Sequence, residues 1–206
     1  YGDSVHVIVY NEDKLPVDAR AFWRNDIDGA LAYQPTDTAV CKEYRRRGLF
    51  VMMTNAALKL VPDHAVIYNY PNGNSMPQYL KIGWHKFKTL YTRIFSSVAY
   101  SAEREGVIDS DYFHWWVSPQ LTEQYRFVRR SGKYYLAKKM GRGRYLVFGQ
   151  INKEDTYKIK EATPILLTYL SRKRSIYNDK NKTAGVILSR CPMDAVSIPS
   201  WKTDVL

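Results

Sequence analysis

The sequence predicts a mixed α/β protein, α+β in its arrangement, whose mostly antiparallel sheets are flanked by helices. Three observations predict it: strand-like stretches open the chain, an amphipathic helix follows a loop of arginines and a glycine, and the second half is again rich in strand patterns. The 17 Tyr and 5 Trp residues favour the same class, because aromatic side chains suit half-buried sheet surfaces. We expect two domains, over residues 1–100 and 101–206, with a linker near 101–110.

A meander of three antiparallel strands is expected first. Residues 5–10 are β-rich, and the polar residues 11–14 form a turn into a second strand over 16–23. A further turn at 25–29 leads into a third strand over 30–41.

An amphipathic helix is expected over residues 49–61, and Pro62 ends it. Apolar residues recur there at helical spacing, which gives the helix one face for a sheet. These residues are Leu49, Met52, Met53, Ala56, Ala57 and Leu60.

A short buried strand over 65–70 is expected next, followed by a helix over 75–82 and a strand over 84–95. Gly83 closes this helix, as glycine commonly does after the last helical residue. The first half therefore has the order strand, arginine–glycine loop, helix, strand, helix, strand.

The second half repeats the strand-rich pattern. Strands are expected over 125–129, 133–139 and 144–151, with turns at the glycines between them. A helix over 155–170, kinked or split at Pro164, and a strand over 183–189 follow. Residues 197–201 are expected to add a last strand.

Composition restricts the partners and the compartment. The formal charge of +11 calls for an anionic partner, but the basic residues are scattered, which is typical of solvated surface. Cys41 and Cys191 do not form a disulfide framework, and no apolar run is long enough to span a bilayer. We therefore expect a protein of the reducing cytoplasm, without a membrane span. The four histidines show no ligand spacing, so no metal site is expected.

The loop Arg45-Arg46-Arg47-Gly48-Leu49-Phe50 is the clearest functional signal. It lies between a strand and a helix, so main-chain N–H groups at the start of the helix can bind phosphate. Gly48 allows the main chain to approach a ligand closely, and the arginines attract anions.

Two motifs in register resemble those of the GNAT superfamily of acyl-CoA-dependent N-acyltransferases. Arg45-x-x-Gly48-x-Phe50 is similar to the family's pyrophosphate-binding loop, although the family has Gly or Ala where this chain has Phe50. Asn72-x-x-Ser75-x-x-x-Tyr79-x-x-x-Gly83-Trp84 keeps every spacing of the second motif. The resemblance covers residues 5–95, and the second half is expected to be a degenerate GNAT-like sheet domain.

The resemblance implies acetyl-CoA as cofactor and a small-molecule amine as acceptor, for which an amino sugar is one candidate. The backbone of Thr38, Ala39 and Val40 would pair with the pantetheine arm, which Asn72 and Ser75 would also contact. The loop would bind the coenzyme's phosphates through its main-chain amides and its arginines. The residues of that loop are Arg45, Arg46, Arg47, Gly48, Leu49 and Phe50.

Tyr79 is the expected general acid, which protonates the departing thiolate, and Asp37 is the candidate base. Structural interpretations stay open beside these roles. Gly48 can be an ordinary helix-entry turn, Tyr79 a packed side chain, and Asp37 a capping carboxylate.

Other functions also stay open. An aminoacyl-tRNA-dependent transferase with two GNAT-like halves would suit the positive charge and the degenerate second half. A non-catalytic nucleic-acid-binding module is another alternative, but the chain lacks interleaved basic and aromatic residues, so we consider nucleic acid an unlikely partner. GNAT proteins normally have a strand and helices before the meander, which build part of the acceptor pocket. We expect those elements to be missing from this sequence.

Overall fold

The computed structural model describes residues 3–27, 29–96, 107–117, 122–164, 166–171 and 182–188. The described residues form two compact units. The first contains those up to Thr89 together with those from Thr183 onward, and the second those from Leu90 to Lys182.

The first unit opens with the expected antiparallel meander. Its strands are β1 (Val5–Tyr10), β2 (Pro16–Arg24) and β3 (Ala32–Val40), and β2 pairs with both neighbours. The β2 side chains Ala21 and Phe22 are buried and contribute to the core of this unit. The three predicted strands are confirmed.

Helix α1 (Leu49–Leu60) connects β3 to the parallel strand β4 (Val66–Asn69). Its buried residues Met53 and Ala57 belong to the predicted apolar face, because they lie one turn apart. α2 (Met76–Lys81) and the start of β5 (Trp84–Ser96) follow, as expected.

The C-terminal strand β11 (Lys182–Leu188) pairs antiparallel with β4 through Val186 with Asn69 and Ile187 with Tyr68. The strand order in the first unit is therefore β1-β2-β3-β4-β11. The strand predicted over 183–189 is confirmed, and it belongs to the first unit although the predicted boundary at residue 100 assigns it to the second domain.

The second unit has the sheet order β5-β10-β8-β7-β6-β9. Helix α3 (Ser110–Trp116), which the sequence did not predict, packs Phe113 and Trp116 into its core with Leu136 and Phe148. The strands that follow it are β6 (Tyr125–Arg130), β7 (Lys133–Gly141), β8 (Arg144–Ile151), β9 (Lys160–Glu161) and β10 (Leu166–Ser171). The three strands predicted over 125–151 are confirmed.

The helix predicted over 155–170 is wrong. A 3-10 helix covers Lys153–Lys158, and β10 pairs antiparallel with β5 and parallel with β8. Pro164 lacks the N–H that a helix needs and separates the two parts. Leu166–Ser171 lies between two strands, where its backbone groups are satisfied by the sheet rather than by a helix.

Some expectations fall outside the described residues. The domain boundary at 100/101, most of the 101–110 linker and the strand expected over 197–201 lie there. The division into domains 1–100 and 101–206 stays a prediction. Within the described ranges, no helix combines the length and the apolar character that crossing a membrane requires.

Candidate functional site

A cavity of about 820 Å³ in the first unit lies beside the end of β3, the loop before α1, the end of β4 and α2. It brings together most of the site residues that the sequence predicted, from the two motifs and from the strand before the loop. Those on its wall are Asp37, Thr38, Val40, Arg45, Arg46, Gly48, Leu49, Phe50, Asn72, Ser75 and Tyr79. Ala39 and Arg47, although the structure describes both, are not part of this lining.

The cavity lies where β3 and β4 stop pairing. The two parallel strands pair at Ala32 with Val66 and at Tyr33 with Ile67. Pro35 follows in β3 and lines the cavity, and it has no N–H with which to continue a ladder. The β3 edge from Thr36 to Val40 therefore offers main-chain groups to a ligand rather than to β4.

A bulge in β3 shapes the same wall. Ala19 of β2 pairs with Ala39 and Ala21 pairs with Thr36, so Asp37 and Thr38 together lie opposite Arg20. Asp37 has the positive φ of 45° and is exposed. Its carboxylate is therefore held on the cavity side in contact with water.

The loop before α1 has the backbone of an anion site. Arg46 and Gly48 have positive φ values of 64° and 77°, which turns successive N–H groups toward one side, as in a phosphate-binding nest. Gly48 is the N-cap of α1, and the first turn of this helix contains no acidic residue. The helix dipole therefore favours an anion in front of Gly48.

The three arginines of this loop differ in their surroundings. The Nε of Arg45 donates to the Val40 carbonyl oxygen over 3.3 Å, and the Arg47 guanidinium lies over the Tyr44 ring, 4.9 Å from its centroid. Arg45 and Arg46 line the cavity, so their charge is available to a ligand there.

Ser75 is the N-cap of α2, and Asn72 orders the turn that leads into it. The Asn72 side-chain oxygen Oδ1 accepts from the backbone N–H groups of Asn74 and Ser75, both over 3.0 Å, and from the Ser75 hydroxyl over 3.1 Å. This oxygen is therefore committed to the protein. The ligand contact predicted for Asn72 can only come from its amide group, Nδ2.

Tyr79 lies at the buried end of the cavity with 2% of its surface exposed. Its hydroxyl oxygen accepts two hydrogen bonds, from Arg20 Nη2 over 2.5 Å and from Asn69 Nδ2 over 2.8 Å. The Trp84 ring packs on Tyr79 at 4.6 Å between centroids, so both aromatic residues of the second motif meet here. Burial raises the pKa of the Tyr79 phenol, and Arg20 opposes that rise.

Arg20 of β2 is the main residue that the sequence analysis missed. It is 2% exposed, its Nη1 donates to the Thr38 hydroxyl over 2.6 Å, and its guanidinium lies over the Phe50 ring, 4.3 Å from the centroid. Phe50, where this chain departs from the family pattern, therefore supports Arg20 and also packs edge-on against Tyr79. Burial lowers the pKa of the Arg20 guanidinium.

One signal could have revealed Arg20. It is a charged residue among the apolar and small residues of a strand that was expected to be buried, and buried charges are rare unless they have a role. Asn69, at the end of the buried strand β4, carried no signal of its own. Among the described residues, no three His, Cys, Asp or Glu side chains come close enough to hold one metal ion.

Comparisons with known proteins identify the fold. No protein-family model matches the sequence, and a search of the curated proteins finds no match. A GCN5-related N-acetyltransferase from Kribbella flavida has a similar structure, with a TM-score of 0.50 and 12% identity. The match covers 88% of this chain and 59% of that protein, so the chain spans less than two thirds of its length.

Two further structures are less similar. A GCN5-related N-acetyltransferase from Anabaena variabilis has a TM-score of 0.49 and 9% identity over 88% of this chain and 62% of that one. A tandem GNAT protein from the clavulanic acid biosynthesis pathway has a TM-score of 0.43 and 10% identity over 93% and 85%. On the strength of the Kribbella flavida structure and of the sheet and loop described above, the chain has the fold of the GCN5-related N-acetyltransferases.

Proposed function

We propose that the chain is an acyl-CoA-dependent N-acyltransferase that transfers an acetyl group from acetyl-CoA to an amine. Fold alone does not establish function, so the proposal rests on the site. The observation that carries it is that a phosphate-type loop at the start of α1 and the buried hydroxyl of Tyr79 line one cavity. A donor that has phosphates at one end and a reacting thioester at the other fits such a cavity.

The residues present fit coenzyme A. The nest formed around Arg46 and Gly48 would bind the pyrophosphate, with the side chains of Arg45 and Lys81 at the cavity wall. The β3 edge at Thr38–Val40, which lies beyond the residues paired with β4, would bind the amide groups of the pantetheine arm, as an added strand would.

Acetyl-CoA would supply the acyl group as a thioester, whose carbon–sulfur bond breaks when the amine nitrogen attacks the carbonyl carbon. Tyr79 would donate its proton to the leaving sulfur. Asp37 is the candidate acceptor of the proton that the amine loses. Because this carboxylate is exposed at the bulge, it can pass that proton to solvent.

The acceptor is proposed only as a small-molecule amine, and amino sugars are the first class to test. We further propose that the protein works in the cytoplasm, because free coenzyme A thiol persists in a reducing compartment.

Isothermal titration of the full chain with acetyl-CoA tests the donor assignment. We expect one site with a Kd near or below about 100 µM, and competition by coenzyme A. Absence of heat together with absence of a thermal shift would contradict the proposal. If tRNA instead binds, with an affinity that falls steeply as salt is raised, the aminoacyl-tRNA alternative is favoured.

A further inference from the structure

We propose that Arg20 is a positioning residue, which makes the Tyr79 hydroxyl a hydrogen-bond donor toward the cavity and holds the negative charge left when its proton departs. The inference rests on the proposed function, because it takes the sulfur of coenzyme A as the acceptor of the Tyr79 proton. It concerns a residue outside both sequence motifs.

The direction of the Tyr79 proton follows from its hydrogen bonds. A phenol oxygen carries one proton, and the Tyr79 oxygen already accepts from Arg20 and from Asn69. Asn69 cannot reverse its amide without losing a bond, because its Oδ1 accepts from the Tyr70 N–H over 2.8 Å. A guanidinium has no acceptor atom at all. The Tyr79 proton must therefore point away from both donors, and the cavity is the space that Tyr79 lines.

The hydroxyl group of Thr38 is also oriented by a hydrogen bond from Arg20. Its hydroxyl oxygen accepts from Arg20 Nη1 over 2.6 Å, so the charge of one guanidinium bears on two cavity-lining hydroxyl groups. Arg20 is itself one of the residues around the cavity, but it is 2% exposed and lies over the Phe50 ring, so it has little surface with which to touch a ligand. Its effect on the sulfur therefore passes through Tyr79, while its bond to Thr38 orients that hydroxyl group.

The charge of Arg20 has no hydrogen-bonded counter-ion among the described residues. Asp18, two residues earlier on the same strand, is buried and its charge bears on Arg20, but among the described residues no hydrogen bond joins its carboxylate to the guanidinium. A buried cation whose hydrogen bonds go to neutral oxygens, as those of Arg20 do, stabilises negative charge that develops on one of them. The oxygen that meets this description is that of Tyr79, 2.5 Å from Nη2.

The proton balance is closed by this arrangement. When the carbon–sulfur bond of the thioester breaks, the electron pair goes to sulfur, and the Tyr79 proton converts the thiolate to a thiol. The Tyr79 oxygen keeps the negative charge, stabilised by Arg20 and Asn69. The attacking nitrogen gains the acyl group and releases one proton to solvent, and solvent returns one proton to Tyr79.

Among the described side chains that contact Tyr79 from other elements, Arg20 is the charged one. β4 contributes the neutral Asn69, α1 contributes Phe50 and β5 contributes Trp84, while β2 contributes Arg20. Burial raises the pKa of Tyr79, so the phenol keeps its proton at neutral pH until sulfur takes it.

The test needs no acceptor amine. The affinities of coenzyme A and acetyl-CoA are measured by isothermal titration across pH 7 to pH 10, through the range where a thiol of pKa about 8.5 ionises. A hydrogen-bond donor directed at the sulfur stabilises the thiolate of coenzyme A, whereas acetyl-CoA has no thiol to ionise. The affinity of coenzyme A relative to that of acetyl-CoA should therefore rise about tenfold from pH 7 to pH 10, and this rise is the gain. In Arg20→Gln and Tyr79→Phe this gain should fall below about twofold. Arg20→Lys, which keeps the charge, should restore part of it.

Arg24→Gln is the matched control, since it makes the same change in the same strand at an arginine outside the cavity lining, and it should keep the wild-type gain. In the double variant Arg20→Gln/Tyr79→Phe, the gain should equal that of Tyr79→Phe alone, because Arg20 acts through Tyr79.

A wild-type gain that survives in Arg20→Gln would overturn the role of Arg20, and so would a double variant clearly worse than Tyr79→Phe. If Arg20→Gln does not fold, the wild-type titration and Arg20→Lys still decide: a wild-type coenzyme A to acetyl-CoA ratio that does not change with pH refutes the proposal. Failure of both ligands to bind the wild type would refute the proposed function instead, so the two failures are distinguishable.

Discussion

The guanidinium of Arg20 donates from Nη2 to the hydroxyl oxygen of Tyr79 over 2.5 Å, joining β2 to α2 across 59 positions of the sequence. Both residues are almost fully buried, so the bond is shielded from competing water. It connects a residue of the predicted second motif to one that neither motif contains. The behaviour of the site should therefore depend on the pair rather than on Tyr79 alone.

Tyr79→Phe should lower turnover far more than donor affinity. Loss of a general acid typically costs about 10²–10⁴-fold in rate, whereas the phosphate contacts that we propose come from Arg45, Arg46 and Gly48 rather than from Tyr79. We therefore expect kcat to fall at least about a hundredfold with an acetyl-CoA Kd changed by less than about threefold. A screen of amino sugars and simple amines first selects the acceptor. The rate is then measured as the release of thiol from acetyl-CoA.

Tyr157→Phe is the control for this variant, because Tyr157 is 76% exposed in the second unit. Its rate should match the wild type. Removing the Tyr79 oxygen also leaves a donor of Arg20 unpaired, so the variant should unfold about 1–3 kcal/mol more easily. An unchanged kcat in a folded Tyr79→Phe protein would show that the phenol is a packing group only.

Gly48→Val should abolish tight acetyl-CoA binding without unfolding the protein. An added Cβ at Gly48 meets no atom within 4 Å, so the strain comes from the backbone, whose φ of 77° costs other residues about 1–2 kcal/mol. A β-branched residue relieves that strain by turning the loop, and the N–H groups then no longer converge. We expect at least about a tenfold weaker Kd by titration calorimetry.

Gly73→Val is the matched control for the loop, since Gly73 also has open space around its Cα and does not have a positive φ. This variant should bind acetyl-CoA as the wild type does. Equal losses in both variants would mean that the loop backbone at Gly48 has no special part in binding.

Local signals account for what could be predicted from the sequence. The meander, α1 and the arginine–glycine loop depend on neighbours in the chain, because turn residues, helical spacing and a glycine at a helix start are local features. The predicted site residues also lie within or next to such features, which is why the sequence could reveal them. In the structure, eleven of them line one cavity.

Long-range contacts account for what could not be predicted. The hydrogen bond between Arg20 and Tyr79 depends on how β2, β3 and α2 pack, and no spacing rule connects residues so far apart. Leu166–Ser171 forms a strand because β5 and β8 lie on either side of it, although its own sequence is compatible with a helix. Tertiary context overrode local preference there.

Trp116→Ala should strongly destabilise the second unit. Trp116 is 4% exposed, its ring lies 5.0 Å from that of Phe148, and its Nε1 donates to the Tyr125 hydroxyl over 3.0 Å. Deleting a buried tryptophan costs about 3–5 kcal/mol, whereas Trp116→Phe keeps a ring and loses mainly the hydrogen bond, about 1 kcal/mol. Urea unfolding followed by circular dichroism measures both.

The exposed Tyr157 again provides a reference, because Tyr157→Ala should change the free energy of unfolding by less than about 0.5 kcal/mol. Similar losses for Trp116→Phe and Trp116→Ala would assign the stabilisation to the hydrogen bond instead of to packing.

Asp18→Asn should stabilise the protein at neutral pH and change its stability less at low pH. Burial raises the pKa of the Asp18 carboxyl above its ordinary value of 3.8, although the Ala19 N–H and the Arg20 charge oppose the rise. A carboxyl whose pKa is higher in the folded than in the unfolded state binds its proton more tightly when folded. Its contribution to stability is therefore present below about pH 3.8 and is lost as pH rises through the folded-state pKa.

Asparagine has no such titration, so the difference in Tm between Asp18→Asn and the wild type should grow from pH 3 to pH 7. Asp13→Asn makes the same change at an exposed turn position and is the control. The opposite result would be a Tm of Asp18→Asn, relative to the wild type, that is lower at pH 7 than at pH 3. It would show that the attraction between the Asp18 carboxylate and Arg20 outweighs the cost of burying that carboxylate. Asp18 would then be the counter-ion of Arg20, and the charge available to Tyr79 would be correspondingly smaller.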